Sequence, residues 1–241
     1  MNKYLLCILI SLLSVSAAAK DCVVILHGLA KSDKTMSEIA SKLSANNFKS
    51  VNVDYPSTKF PIQQLAAMAI EPALKQCEPL KEMSNIHFVT HSMGGILVRQ
   101  YLSDHDISNL GRVVMLGPPN NGSEVVDKYS KFPGFDLITG PAGLQLGTGQ
   151  MSVPKKLGAV DFDSGVIAGS SSLNLILSTM LPNQDDGKVS VESTKVEGMQ
   201  DHIIMPVTHV FMMKNNKVIE QVIYFLNHGE FKRNFHFRVA P

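Results

Sequence analysis

The sequence predicts an α/β fold, with a mostly parallel β-sheet covered by helices on both faces. Short, nearly continuous apolar runs, each closed by Gly, Pro or Ser, alternate with longer stretches of helical periodicity. No internal repeat, low-complexity tract or polar linker divides residues 20–241, so they read as one domain.

Residues 1–19 stand outside that pattern. Lys3 supplies a positive start, 4–13 an apolar stretch and Ala17-Ala18-Ala19 a small-residue cleavage pattern, so the segment reads as a signal peptide. Its apolar run is shorter than the ~20 residues of a membrane-spanning helix, which argues against an uncleaved anchor. Lys20-Asp21 ahead of Cys22 does not resemble a lipidation box. A periplasmic or secreted mature protein is expected.

The first strand is expected at 22–26, a β-branched run ending in His27-Gly28, and the second at 50–54, stopped by Tyr55-Pro56. Further strands are expected at 86–90, 112–116 and 165–168, with a strand-like run at 203–205 closed by Pro206. Thr35 followed by Glu38 has the form of a capping box, ahead of an apolar stripe of Met36, Ile39, Ala40 and Leu43. Residues 62–76 carry Leu65, Ala66, Ala69 and Ile70 at helical spacing, with Pro72 expected to kink or break the run. A third helix follows Gly94-Gly95 with Ile96, Leu97 and Tyr101, and 218–227 closes the chain. Residues 129–158 turn rich in Gly and Pro, with Phe132, Phe135, Leu137, Ile138, Leu144 and Leu146 scattered among them. That is too long for an ordinary connection, and it is expected to form a cap or apolar wall.

Composition excludes several function classes. With 22 Lys+Arg against 21 Asp+Glu, no charge excess or basic cluster points to nucleic acid. At 44% hydrophobic and 18% charged residues the chain is too apolar for disorder. Of its 3 cysteines, Cys7 lies in the leader; Cys22 and Cys77 could form a bridge or remain two buried thiols, and the sequence does not choose.

In such a sheet, chemistry is expected beyond the carboxyl ends of the strands. Thr90-His91-Ser92-Met93-Gly94-Gly95 joins a strand to a helix there. A Ser on so tight a turn has its hydroxyl pushed above the sheet edge, and the small residues beside it permit the backbone strain. Thr90 stands where Gly is usual and is expected to crowd the turn. His27-Gly28-Leu29 could aim the Leu29 N–H at a developing oxyanion, with the Met93 N–H as second donor.

A serine hydroxyl needs a base, and the base a carboxylate. His209, on a loop after Pro206, fits the base. His202 lies at a strand start and thus the wrong edge, His91 is expected to point elsewhere, His228 ends the last helix and His236 sits in the tail. Asp186, before Gly187, fits the acid; Asp185, expected to be solvated, and Asp201 are the alternatives. A metal site from Asp161, Asp163, Asp185 and Asp186 lacks paired His or Cys and calcium-loop spacing, so neither metal nor cofactor is expected.

The order Ser92, Asp186, His209 resembles the α/β-hydrolase fold, specifically its small bacterial lipase- and esterase-like members, over residues 23–225. His27-Gly28-Leu29 is similar to that family's oxyanion strand, and His91-Ser92-Met93-Gly94-Gly95 to its lipase-type elbow. Gly117-Pro118-Pro119-Asn120-Asn121-Gly122-Ser123 is similar to its pocket-bordering segment, and Asp185-Asp186-Gly187-Lys188-Val189 to its acid loop. The resemblance implies ester hydrolysis through an acyl-enzyme on a small-molecule or lipid ester, with transient lipid-surface contact. It leaves the substrate open, because acyltransferases and phospholipid or glycolipid deacylases share these motifs. A noncatalytic binding protein would have little reason to keep the three residues in order.

Overall fold

The computed structural model describes residues 20–78, 84–172 and 184–233; the leader expectation and His236 lie outside them. Six strands form one sheet: β1 (Cys22–Leu26), β2 (Lys49–Val53), β3 (Ile86–His91), β4 (Leu110–Leu116), β5 (Ser164–Gly169) and β6 (Asp201–Met205). Their order is β2-β1-β3-β4-β5-β6 and every pairing is parallel. Register brings the carboxyl ends together, with Leu26 opposite Val53 and Thr90, His91 opposite Leu116, and Gly169 opposite Met205.

Alternate residues of each strand enter different cores, as the two-residue strand period requires. Cys22, Val24, Leu26, Phe88, Val113, Met115 and Val166 face α2 (Ile62–Cys77) and α3 (Met93–Asp104). Val23, Ile25, Val89, Val114, Leu116, Ile167 and Met205 face α1 (Ser37–Ala45) and the closing helix at Asn216–His228. Each large aliphatic side chain buried this way contributes about 1.5–3 kcal/mol. Both faces are therefore covered, and the apolar strand runs are explained.

Local details depart from expectation in three places. Thr35 does not cap α1: its hydroxyl donates to the Ser32 carbonyl, and a 3-10 turn at Asp33–Met36 precedes the helix. α2 runs unbroken through Pro72, whose ring lies on the exposed face, where the Met68 carbonyl that loses its donor can bind water. The closing helix starts at Asn216 because the Asn215 side chain accepts from the N–H groups of Lys217 and Val218, adding a first turn. Cys22 and Cys77 are bridged, joining the amino end of β1 to the carboxyl end of α2. No helix among the described residues is long and apolar enough to cross a membrane.

Candidate active site

β3 ends at His91, α3 begins at Met93, and Ser92 between them has φ 54° and ψ −123°. A non-glycine residue held there costs of order 1–3 kcal/mol, which the surrounding packing must offset. The Ser92 N–H donates to the Leu116 carbonyl at 2.8 Å, tying the turn to β4. Gly94 allows the close approach of α3 to β1, since a Cβ there would lie 2.8 Å from the Leu26 carbonyl oxygen. Thr90 precedes Ser92 by two positions. It is fully buried in β3, its hydroxyl donating to the Val114 carbonyl of the neighbouring strand.

Asp186 and His209, the expected acid and base, meet as a buried pair. His209 Nδ1 lies 2.7 Å from Asp186 Oδ2, and neither residue is more than 4% exposed. Asp186 Oδ1 accepts from the N–H groups of Lys188 and Val189, at 3.0 and 2.9 Å. With that oxygen occupied, Oδ2 is left for the imidazole. Nδ1 therefore carries the ring proton, and Nε2 presents a lone pair. The His209 N–H also donates to the Asp186 carbonyl, so ring and main chain are held by one residue.

His91 does not point away from this pair. Its Nε2 donates to the His209 carbonyl at 2.9 Å, and the two ring centroids are 4.6 Å apart. His209 is thus fastened to the residue immediately before Ser92. Gly117, at the end of β4, makes room for the pair: a Cβ there would lie 3.0 Å from Asp186 Oδ2 and 3.1 Å from His209 Nδ1. His91 and Gly117 are the contributors that residue-type reasoning passes over, although Gly117 heads the segment picked out as pocket-bordering.

Asp185 is not solvated. It is 4% exposed, accepts from the Gly187 N–H at 2.7 Å and bridges Ser190, so the acid loop closes on itself. His202 and Asp201 sit at the amino end of β6, where His202 Nε2 lies 3.0 Å from Thr194 Oγ1 and Asp201 accepts from the Phe231 N–H. His228 Nδ1 donates to the Tyr224 carbonyl, far along the closing helix. Asp161 and Asp163 precede β5 at the opposite sheet edge from Asp186, which separates the four aspartates of the weak metal reading.

Leu29 lies in the turn after β1, which meets the elbow at Gly28, and Met93 is the first residue of α3. Two further helices, α5 (Phe135–Leu144) and α6 (Val153–Leu157), lie in 129–158, after α4 (Glu124–Tyr129). Leu146 and Phe135 pack into the core, so they are not part of an outer wall. Phe132, Leu137, Ile138, Leu144 and Met151 are exposed, with Leu137 at 85%. A Cβ on Gly143 would lie 3.3 Å from Leu29 Cδ2, placing the end of α5 against the turn.

Burial lowers the proton affinity of His27, His87 and His202, and most strongly that of His91, below the ordinary value of 6.5. Below that pH the unfolded chain takes up protons that the folded chain refuses. This part of the stability is therefore intact above pH 6.5 and is lost as pH falls through the lowered folded values, at about 1.4 kcal/mol per pH unit for each extra proton bound. Urea midpoints should decline between pH 7 and 5, above the carboxylate range; a flat profile would contradict the buried neutral histidines.

Solved structures with the same fold include a Bacillus licheniformis lipase in its mature form, 20% identical over 87% of this chain and 93% of that one, TM-score 0.65. A phospholipase from Legionella pneumophila is 19% identical over 73% of this chain and 46% of its own, TM-score 0.56. Aspergillus fumigatus lipase B is 16% identical, covering 87% and 53%, TM-score 0.61. No curated protein matches significantly. The family model described as palmitoyl protein thioesterase matches residues 22–155, more than half of the chain and the stretch that carries the turn after β1 and the Ser92 elbow. The chain therefore belongs to the palmitoyl protein thioesterase family, on an α/β-hydrolase fold.

Proposed function

We propose that the protein is a serine hydrolase that cleaves carboxylic esters or thioesters of hydrophobic acyl chains, using Ser92 as nucleophile, His209 as base and Asp186 as its carboxylate. The observation that carries this is the buried 2.7 Å contact of His209 Nδ1 with Asp186 Oδ2, fastened through His91 to the strained Ser92 turn. His209 Nε2 takes the hydroxyl proton as Ser92 Oγ attacks the acyl carbon. The N–H groups of Leu29 and Met93 stabilise the oxyanion, and His209 returns the proton to the departing alcohol or thiol. Water then attacks the acyl-enzyme with the same proton traffic, releasing the acid.

The family's name supports a thioester of a long acyl chain as substrate, and the apolar residues around α5 support the long chain and a transient lipid-surface partner. Residues 129–158 are proposed to cap the acyl chain. Export is proposed from the leader pattern, and the Cys22–Cys77 bridge supports a compartment where disulfides persist.

Turnover of p-nitrophenyl esters and matching acyl thioesters should rise from two to sixteen carbons. A strict preference for acetate would sink the hydrophobic-chain reading. Replacing Leu137 and Ile138 by serine should slow hydrolysis of substrate embedded in phospholipid vesicles while sparing dispersed short esters. Equal rates on vesicles would remove the lipid-surface contact.

A further inference from the structure

We propose that His27 is a positioning residue for the oxyanion hole: its Nδ1–H holds the Gly28 carbonyl, and thereby keeps the Leu29 N–H turned toward the acyl carbonyl at Ser92. The inference deepens, and rests on, the roles given above to Ser92 and Leu29.

His27 Nδ1 lies 2.8 Å from the Gly28 carbonyl oxygen. A carbonyl can only accept, so Nδ1 carries the proton. Nε2 then offers a lone pair, and the Tyr55 N–H donates to it at 3.3 Å. Two main-chain groups thus fix the tautomer from opposite sides of the ring. In a trans peptide the C=O and the following N–H point in opposite directions. Holding the Gly28 carbonyl therefore aims the Leu29 N–H.

Gly28 explains why such a hold is needed. A Cβ at this position would sit 2.9 Å from His91 Nδ1 and 3.2 Å from Ser92 Cβ, so the turn can lie against the elbow only with glycine there. Glycine, however, resists rotation of its peptide least of all residues. A rotated 28–29 peptide would present a carbonyl lone pair, instead of an N–H, to the developing negative charge.

The surrounding contacts hold other parts of the turn. The Tyr55 hydroxyl donates to the His27 carbonyl, and the Ala30 N–H donates to Ser57 Oγ at 3.0 Å. The His27 ring is fully buried and stacked on Tyr55, with centroids 4.0 Å apart and planes 10° from parallel. Asp54 Oδ1, on a largely exposed side chain, lies 3.6 Å from Nε2. Burial pushes the ring's proton affinity below its ordinary value, toward the neutral state the lock requires, because a proton on Nε2 would oppose the Tyr55 N–H.

Two variants separate aiming from packing. In His27→Asn the side-chain amide nitrogen falls near the place of Nδ1, whereas in His27→Gln it reaches the place of Nε2. His27→Gln should lower kcat about 10²-fold with KM nearly unchanged, the scale of losing one oxyanion donor, and His27→Asn should stay within about tenfold of wild type. Thermal unfolding of each variant is recorded beside its kinetics. A folded His27→Gln with wild-type kcat, or equal loss in both variants, overturns the proposal.

The wild-type ring gives a measurement independent of any variant's folding. Its 15N spectrum at pH 8 should show His27 protonated on Nδ1 and bare on Nε2, and the opposite tautomer overturns the proposal. Wild-type protein that neither hydrolyses esters nor labels at Ser92 brings down the underlying reading as well, a result distinct from active wild type with indifferent His27 variants.

Discussion

Replacing Ser92 by alanine should abolish both ester hydrolysis and covalent labelling by a fluorophosphonate, with kcat falling by about 10⁵–10⁶-fold. The size follows from the chemistry. Without Oγ no acyl-enzyme forms, and what remains is the modest catalysis that oxyanion donors and binding give to direct attack by water. His209→Ala should cost a similar factor. Asp186→Asn should cost about 10⁴-fold, because an amide facing His209 favours the tautomer that leaves Nε2 without its lone pair. These losses should appear in folded protein. Replacing Ser92 by glycine should moreover raise stability by roughly 1–2 kcal/mol, since φ 54° is strained for serine and not for glycine. Equal labelling of wild type and Ser92→Ala would show that the reactive serine is another one.

Loss of the Cys22–Cys77 bridge should give the largest change in stability. It closes a loop with a sequence separation of 55, for which the chain-entropy estimate is about 4 kcal/mol. In a chain of this size that corresponds to a fall in Tm of roughly 8–16 °C. Paired Cys22→Ala and Cys77→Ala substitution should reproduce the effect of reduction, because both residues are fully buried and alanine leaves little void. Activity below the transition should survive, since the bridge lies at the amino end of β1 and the Leu29 turn at its carboxyl end. Titration of two free thiols in the unreduced exported protein, or a Tm unmoved by reduction, would contradict it.

The strands were legible because each is buried on both faces: apolar runs at 22–26 and 86–90 admit few other readings, and both lie within a residue of the observed bounds. The Ser92 turn and His209 could be picked out because each closely follows a strand, whereas Asp186, well beyond the end of β5, stood out only by its place before Gly187 and between Ser92 and His209 in chain order. What was not legible depends on third partners. Whether Thr35 bonds to Glu38 or to the Ser32 carbonyl is decided by where the chain enters α1. Asp185 looks like a surface turn residue until the loop folds back on Ser190. The fastening of His91 to His209 spans 118 residues of chain, a distance at which neither residue type nor local spacing carries information. Gly117 could have been suspected only from the need to pass a buried imidazole beside a strand end.

The match to the family ends at residue 155, so the Ser92 elbow and the Leu29 turn lie within it while Asp186 and His209 lie beyond. Between those two parts of the chain the bond from His91 Nε2 to the His209 carbonyl is a direct tie, so a shift in either loop is passed to the other.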